Sequence, residues 1–451
     1  MARIEFRNLG RIKSGSIEPA ALTLFVGKNN TGKSYAATLL WTLTQLSPRW
    51  MSDHAEAYRP DWWNDFVKLA EQKQAADIEV THDMRQQLVA AVNLMLRERI
   101  GAQLKRAFAF DGFPKTEVTI VPSDDFVPFI VLMNSTEVSE GGQDKSSSSI
   151  TTTGAIFDNE KNGILSVRLR TVSRAQDGIR RLGDRLFAQV AFRAAFGPAW
   201  DELRRSMYIP AARTGLILAF RSLLAQSLDD ENATPVPLPE PIRDFLRRLT
   251  FVGYVPPRSK MKNLASWIGA NLIDGDVIAS DDEVPQFSFR SKRMDAPLPL
   301  HATSSMITEV APFLLAVKQG LANGLLIFEE PEAHLHLSAQ REMARAIARL
   351  LNTGSRIVVT THSDTFFQQL NNLMIAHAMP VRSTLVKSLG YSKGDLIDPK
   401  MVAVYEFIDH EDETTIRKLD IRDGAFAVSS LNETLVDLAK ETIALTRASD
   451  D

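Results

Sequence analysis

The 451-residue sequence contains no cysteine, which excludes a disulfide framework and any thiolate metal site. It also lacks an apolar run of the roughly 18 residues that a membrane-spanning helix requires, and its first residues lack the apolar core of a signal peptide. The net charge of −3 provides no overall attraction to nucleic acid, so nucleic-acid binding would need a local basic patch. These absences favour a cytoplasmic globular protein that does not enter a membrane.

An α/β pattern occupies the two ends of the chain and is replaced by another pattern in its middle. Residues 1–48 predict short strands and then a helix, and residues 285–451 return to buried strands that are each followed by a helix. Residues 49–284 predict mainly helices with some strand. We therefore expect one α/β domain that is split by a mainly helical insertion.

The segment after the first buried strand matches the phosphate-loop consensus G-x-x-x-x-G-K-[ST] in full, and a predicted helix follows it. The candidate nucleotide-binding residues are Gly27, Asn29, Asn30, Thr31, Gly32, Lys33 and Ser34. Backbone N–H groups of such a loop hold phosphates, while Lys33 would reach the β- and γ-phosphates and the Ser34 hydroxyl would bind Mg²⁺. A chance glycine-rich turn is the alternative, which the strand–loop–helix context disfavours.

A second motif consists of a buried strand that ends in two carboxylates. The apolar residues 325–328 are followed directly by Glu329 and Glu330. At the end of such a strand, the first carboxylate binds Mg²⁺ and the second polarises the attacking water. Glu329 is therefore a candidate Mg²⁺ ligand together with Ser34, and Glu330 is the candidate general base. A solvated charge pair at a surface strand end is the alternative.

Two further segments follow the pattern of a nucleotide site. Residues 356–361 predict a buried strand that ends at His362, which could hydrogen-bond a γ-phosphate and the attacking water. A histidine in this position can also be purely structural. Upstream, Ser304 and Ser305 open a predicted helix, whose hydroxyl and free N–H groups could hold an anion. A simple serine N-cap would give the same local pattern.

Along the chain the phosphate loop is followed by the serine pair, then by the acidic strand end and then by His362. Motifs in this order resemble those of the ABC-type ATPases of the OLD, RecF and SMC group, which includes the AAA_15 and AAA_21 families. The segments that carry the resemblance are Tyr208–Leu216, Ser304–Ser305, Glu329–His336 and Thr360–Ser363. The resemblance spans residues 1–48 and 205–450. It implies a P-loop NTPase fold of the ABC/SMC head type, with ATP and Mg²⁺ as cofactors.

The resemblance also implies that two copies complete each nucleotide site. Ser305 of one copy would cap the γ-phosphate held by a second copy, so we expect a homodimer or a higher oligomer. Met306 departs from this pattern, because the family usually has glycine there. The Met306 side chain would hinder close approach of the backbone to the nucleotide of the second copy. We therefore expect slow hydrolysis or a looser contact between the copies.

Several functions fit such an ATPase. Similar stand-alone ATPases occur in two-component bacterial anti-phage systems such as PARIS and Septu, so we hypothesise a nucleotide-gated sensor that controls a separate effector protein encoded nearby. The alternative is a RecF/SMC-like DNA-repair or DNA-maintenance ATPase that binds DNA when ATP is bound. The nine arginines between Arg168 and Arg205 could contact DNA, or could form a solvated helix face. A binding scaffold without ATPase chemistry is a third hypothesis.

Overall fold

The structure is a computed structural model. It describes residues 2–73, 75–123, 133–136, 149–152, 156–157, 165–170, 176–197, 200–220, 238–250, 259–280, 282, 284–379, 384–422, 424–428, 437 and 440–441. None of the helices in these ranges combines the length and the apolar character that crossing a bilayer would demand.

The strands are numbered in chain order. They are β1 (Arg3–Leu9), β2 (Ile12–Ile17), β3 (Leu22–Val26), β4 (Ala75–Val80), β5 (Glu117–Val121), β6 (Met133–Thr136), β7 (Ser149–Thr152), β8 (Ile156–Phe157), β9 (Leu165–Arg170), β10 (Met207–Ile209), β11 (Gly275–Ala279), β12 (Phe287–Ser291), β13 (Leu298–Pro299), β14 (Leu325–Glu329), β15 (Arg356–Thr361), β16 (Val402–Asp409) and β17 (Thr414–Leu419).

The helices are numbered in the same way. They are α1 (Lys33–Thr44), α2 (Pro48–Asp53), α3 (Asp61–Lys73), α4 (His82–Phe108), α5 (Gln176–Phe196), α6 (Trp200–Leu203), α7 (Glu240–Thr250), α8 (Ser259–Ile268), α9 (Ser305–Lys318), α10 (Leu337–Leu351), α11 (Asp364–His377) and α12 (Thr384–Ser388). Residues 213–220 are also helical, and a π-helical turn, Gly269–Ile273, follows α8. Short 3₁₀ turns lie at Ala55–Ala57, Leu300–Ala302, Leu321–Asn323, Lys393–Asp395 and Pro399–Met401.

The chain folds into two compact units. The smaller unit contains residues 1–7, 45–102 and 115–201, and the larger unit contains residues 8–44, 103–114 and 202–451. The sequence-based insertion ended at residue 284, whereas the structure assigns residues 202–284 to the larger unit. The physical reason is that β10 pairs with β14, and that apolar side chains of α8 share one buried core with those of α9.

The sheet of the larger unit has the strand order β10-β14-β15-β3-β16-β17-β2. Its strands β10, β14, β15, β3 and β16 are parallel, with Glu329 opposite Thr360 and Thr361 opposite Val26. Because the carboxyl ends of parallel strands lie at one edge of a sheet, the segments that follow β3, β14 and β15 meet there. The predicted α/β class is confirmed, and the phosphate loop follows a strand of a large, mainly parallel sheet.

The central strands are buried along their whole length. Every residue of β3 and β14 is buried, which explains why both read as continuous apolar runs. Helices α10 and α11 pack against each other, and their apolar residues join the core that also contains Leu24 and Phe328. This rigid core fixes the positions of the strand ends that carry the polar motif residues.

The smaller unit contains antiparallel strand pairs and helices. Strand β1 pairs with β5, and β4 pairs with β9. Helix α5 packs against α2 and α3, with the ring of Trp63 lying 5.4 Å from that of Phe187. Trp63 is fully buried, so this contact is part of the unit's own core.

The arginines between Arg168 and Arg205 are divided between the two units. Arg204 and Arg205 lie in the larger unit, the remaining described ones lie in the smaller unit, and Arg174 is outside the described residues. On α5, Arg180 forms an ion pair with Glu56, whereas Arg181 and Arg185 are exposed. The exposed face of α5 therefore offers at least two cationic side chains to solvent.

Candidate nucleotide site

The phosphate loop connects β3 to α1 and adopts backbone conformations that need glycine. Gly27 has a φ of 143°, and a Cβ added there would lie 2.4 Å from the backbone oxygen of Phe407 on β16. Gly32 has a φ of 87° and Asn30 a φ of 64°. The buried hydroxyl of Thr31 donates to the Lys28 carbonyl over 2.9 Å. The loop is thus a tight, internally bonded turn against β16, as a phosphate cradle requires.

Lys33 is the first residue of α1, and only 6% of it is exposed. Its Nζ donates to the Gly27 carbonyl over 2.8 Å and to the Lys28 carbonyl over 2.6 Å. Burial lowers the pKa of Lys33 to about 8, although the charges of Glu330 and Glu332 act in the opposite direction. The loop therefore holds a desolvated cation that would gain strongly from a bound anion.

Glu329 ends β14 and is buried beside the phosphate loop. Its Oε2 accepts a hydrogen bond from the Ala211 N–H over 3.2 Å, while the buried Oε1 has no well-aligned partner among the described residues. Burial raises the pKa of this carboxyl. Hydrogen bonding from the side chains of Ser34 and Tyr208 acts in the opposite direction and lowers the pKa.

A buried carboxylate oxygen next to a serine hydroxyl is the kind of oxygen donor set that Mg²⁺ takes in proteins. The cation would offset the burial cost of the Glu329 charge. The residues present therefore fit Mg²⁺, with Glu329 and Ser34 as the residues that would hold it.

Glu330 and His362 form a polar pair at the ends of β14 and β15. His362 Nδ1 lies 3.6 Å from Glu330 Oε1, and both side chains are partly exposed. The interaction with His362 lowers the pKa of Glu330, and the interaction with Glu330 raises the pKa of His362. Glu330 is thus held as a carboxylate near neutral pH, which is the form that can accept a proton from water.

Glu332 is a further member of the site that the sequence analysis did not single out. It is buried, and its Oε1 accepts hydrogen bonds from the Thr361 hydroxyl over 2.6 Å and from the His362 N–H over 3.1 Å. These bonds tie the segment after β14 to the end of β15. The only signal in the sequence was its place within the Glu-Glu-Pro-Glu run.

Tyr208 and Arg213 also belong to the site, although the sequence analysis used them only as part of a family resemblance. The Tyr208 hydroxyl lies 3.2 Å from Thr38 Oγ1 on α1, and the hydroxyl is close enough to Glu329 to influence its pKa. Arg213 donates hydrogen bonds to the backbone oxygens of Glu329 and Glu330, both over 3.0 Å. Arg213 is fully buried, and its place in the Pro-Ala-Ala-Arg segment was the sequence signal that could have identified it.

Ser304 and Ser305 lie at the start of α9, as expected. Ser304 occupies the N-cap position with extended backbone, but its side chain makes no capping hydrogen bond, and both serines are exposed. The hydroxyls at this helix start therefore face solvent rather than the helix backbone. Met306 next to them is only partly buried against the core.

The two histidines after Glu332 do not form a metal site. The His336 side chain caps α10 by accepting from the Ser338 N–H over 3.3 Å, and His334 is exposed. Within the described ranges, no group of three or more histidine, aspartate and glutamate side chains is arranged to hold a metal ion.

Part of the chain is similar to a known family of ATPase domains. Residues 281–367 match the family profile described as AAA ATPase domain, AAA_15, which confirms the predicted similarity over a segment that includes Ser305, Glu330 and His362. A comparison with the curated proteins gives no match.

Among solved structures, the chain is similar to SMC head domains. One is an SMC head bound to the C-winged helix domain of ScpA, with 12% identity and a TM-score of 0.36 over 93% of this chain and 98% of that chain. A second, from Pyrococcus furiosus, has 12% identity and a TM-score of 0.35 over 99% and 98%. The SMC head from Thermotoga maritima has 10% identity and a TM-score of 0.31 over 93% and 98%.

Proposed function

We propose that the protein binds ATP with Mg²⁺ and hydrolyses it, acting as an ABC-type ATPase. One observation carries this proposal: the phosphate loop, the Glu329–Glu330 pair and His362 lie at the carboxyl ends of three adjacent parallel strands. Sheet topology alone brings these residues together, since they are far apart in the sequence.

The residues divide the chemistry between them. Loop N–H groups and the Lys33 ammonium would bind the phosphates, and Mg²⁺ on Ser34 and Glu329 would neutralise charge on their oxygens. The Glu330 carboxylate accepts the proton of the attacking water. The His362 imidazolium, which Glu330 stabilises, can donate a hydrogen bond to the γ-phosphate.

Steady-state ATP hydrolysis and fluorescent-nucleotide binding test the proposal together. Glu330→Gln should lower kcat by about 10²- to 10⁴-fold while nucleotide binding persists, because the amide cannot accept the proton. Lys33→Ala should abolish binding. Wild-type protein that binds nucleotide without measurable turnover would instead support a scaffold without ATPase chemistry.

We further propose that two copies share each nucleotide, with Ser305 of one copy capping the γ-phosphate held by the other. Both serines at the start of α9 are exposed, and the Ser304 side chain makes no capping hydrogen bond, which supports this arrangement. The Glu330→Gln variant, which would retain ATP, should then sediment as a dimer or higher oligomer with ATP, and as a smaller species without it. Ser305→Arg should keep nucleotide binding but remove the ATP-dependent shift.

The cellular role that we propose is a nucleotide-gated sensor of an anti-phage system, with the effector on a separate protein. The hypothesis derives from the motif resemblance, and purification together with the product of the neighbouring gene, with and without ATP, tests it. ATP-dependent complex formation supports a separate effector.

The alternative role is DNA binding, which the exposed Arg181 and Arg185 on α5 favour. Their replacement by glutamate should abolish ATP-dependent DNA binding if this role is correct. Replacement of Arg180, which already pairs with Glu56, is the matched control and should have a smaller effect.

A further inference from the structure

Arg213 is a charged side chain in the core of the larger unit, and none of it is exposed. It opens the helical residues 213–220, just after β10. Burial of an unpaired guanidinium costs several kcal/mol, so an arginine is retained in such a place only when its donors are satisfied. Its partners therefore indicate what it holds in position.

Besides the Pro210 carbonyl in its own loop, at 3.4 Å, the partners of Arg213 belong to two separate segments. One terminal nitrogen donates to the Glu329 carbonyl and the other to the Glu330 carbonyl, each over 3.0 Å. On the other side, Nε donates to the Glu309 carbonyl over 3.1 Å and lies 2.8 Å from Glu309 Oε2. The guanidinium also lies over the Phe328 ring, 5.0 Å from its centroid. The planar, rigid group thus joins the end of β14 to helix α9.

The backbone that Arg213 contacts is strained. Glu330 has a φ of 42°, in the left-handed region that residues other than glycine rarely adopt. Such strain persists only where the surroundings fix it, and here the Glu330 N–H donates to the Thr360 carbonyl over 2.9 Å while its own carbonyl accepts from Arg213. The peptide groups on both sides of the Glu330 Cα are therefore held, and they set the direction of its carboxylate toward His362.

Helix α9 enters the same network through Glu309. This carboxylate is 2% exposed, and besides Arg213 it has His334 Nε2 at 3.9 Å. The helix begins at Ser305, one turn before Glu309. A movement of the helix start would consequently reach the Glu330 backbone through the planar guanidinium of Arg213.

We propose that Arg213 is a positioning residue for Glu330, and that Glu309 couples this positioning to helix α9. The inference rests on the proposed ATPase function and extends it. Arg213 touches neither nucleotide nor water in this role. It keeps the general base in a strained backbone conformation and lets the helix that carries Ser305 influence that conformation.

The test is Arg213→Lys, which keeps the positive charge but cannot reach both carbonyls and Glu309 at once. Because small misplacement of a catalytic group costs up to about 10²-fold in rate, kcat should fall about 10- to 100-fold. The affinity for a fluorescent ATP analogue with Mg²⁺ should stay within about twofold, since the phosphate loop is unchanged. Glu309→Gln should also lower kcat while leaving the nucleotide affinity unchanged, but its fall in kcat should be smaller.

Arg59→Lys is the matched control, because Arg59 is also a mostly buried arginine with an ion pair, to Asp184, but lies in the smaller unit. It should lower the melting temperature without lowering kcat. An unchanged kcat in both Arg213→Lys and Glu309→Gln would overturn the inference. So would a parallel loss of melting temperature, nucleotide affinity and kcat in both variants, because that would make the network a core contact only. Failure of the wild-type protein to hydrolyse ATP would overturn the proposed function instead.

Discussion

The low pKa of Lys33 predicts that nucleotide binding takes up a proton. Without an anion, burial keeps the pKa of the Lys33 ammonium at about 8, while its Nζ donates to two loop carbonyls. A triphosphate next to it favours the charged form and raises the pKa again. Binding above pH 8 must therefore be accompanied by protonation of Lys33, and affinity must fall as the pH rises.

The size of the effect follows from that pKa. If the bound form stays protonated throughout, binding takes up about 0.1 proton at pH 7 and about 0.8 proton at pH 8.5. The apparent Kd should then weaken about tenfold between pH 7 and pH 9, which corresponds to about 1.4 kcal/mol. The nucleotide adds little to this change, because the second pKa of a phosphate group is near 6.

Isothermal titration calorimetry in buffers of different ionisation enthalpy counts the protons directly. Lys33→Arg is the control, because a guanidinium stays protonated throughout this range and should show no proton uptake, whatever its affinity. Equal proton counts at pH 7 and pH 8.5 would refute the argument. If the apparent Kd of Lys33→Arg weakened with pH as much as that of the wild-type protein, the proton would be taken up by another group.

Three further predictions concern the groups around the site and its core. Gly27→Ala should remove nucleotide binding and lower the unfolding free energy, measured in urea, by about 1–3 kcal/mol. The positive φ of Gly27 and the nearby Phe407 carbonyl leave no room for a Cβ. Glu332→Ala should cost about 1–3 kcal/mol by leaving two donors without an acceptor, whereas Glu332→Gln should cost less, since burial already raises the pKa of that carboxyl and favours a neutral group. Asp395→Asn should cost about 3–5 kcal/mol, because it leaves Arg345 and Arg349 without their buried anion. The pKa of Asp395 is lowered despite its burial, chiefly by hydrogen bonds from Arg345 and the Ser392 backbone. The contribution of Asp395 to the unfolding free energy should therefore be present above about pH 4 and should be lost as the pH falls through the pKa of the folded state. Urea titrations at different pH values measure this loss.

The parts of the site that were visible in the sequence are those encoded by continuous segments. The phosphate loop is one run of eight residues with a fixed strand and helix around it, and the Glu329–Glu330 pair directly follows four apolar residues. Local chemistry dictates these elements, because glycine is needed where φ is positive and apolar runs are needed where strands are buried. That the two segments meet could be inferred as well, since parallel strands end at one edge.

The parts that were missed depend on contacts between distant residues. Strand β10 has only three residues, and its pairing with β14 extends the larger unit back to residue 202. No periodicity can be detected in so short a strand. Likewise, nothing local to Arg213 or Glu309 indicates that they pair, because an arginine or a glutamate in a helix is usually exposed.

Three glutamates lie within four residues at the end of β14, and their surroundings assign them different roles. Burial dominates at Glu329 and Glu332 and raises the pKa of both, whereas His362 lowers the pKa of Glu330. A carboxylate that burial destabilises gains most from a cation or from fixed donors: Glu329 has an oxygen beside Ser34 with no well-aligned partner among the described residues, and Glu332 has the donors of β15. Of the three, only Glu330 combines a lowered pKa with a partly exposed side chain. It is therefore the glutamate that can accept a proton from water and release it again. The order of the glutamates along the chain therefore matters less than the depth to which each one is buried.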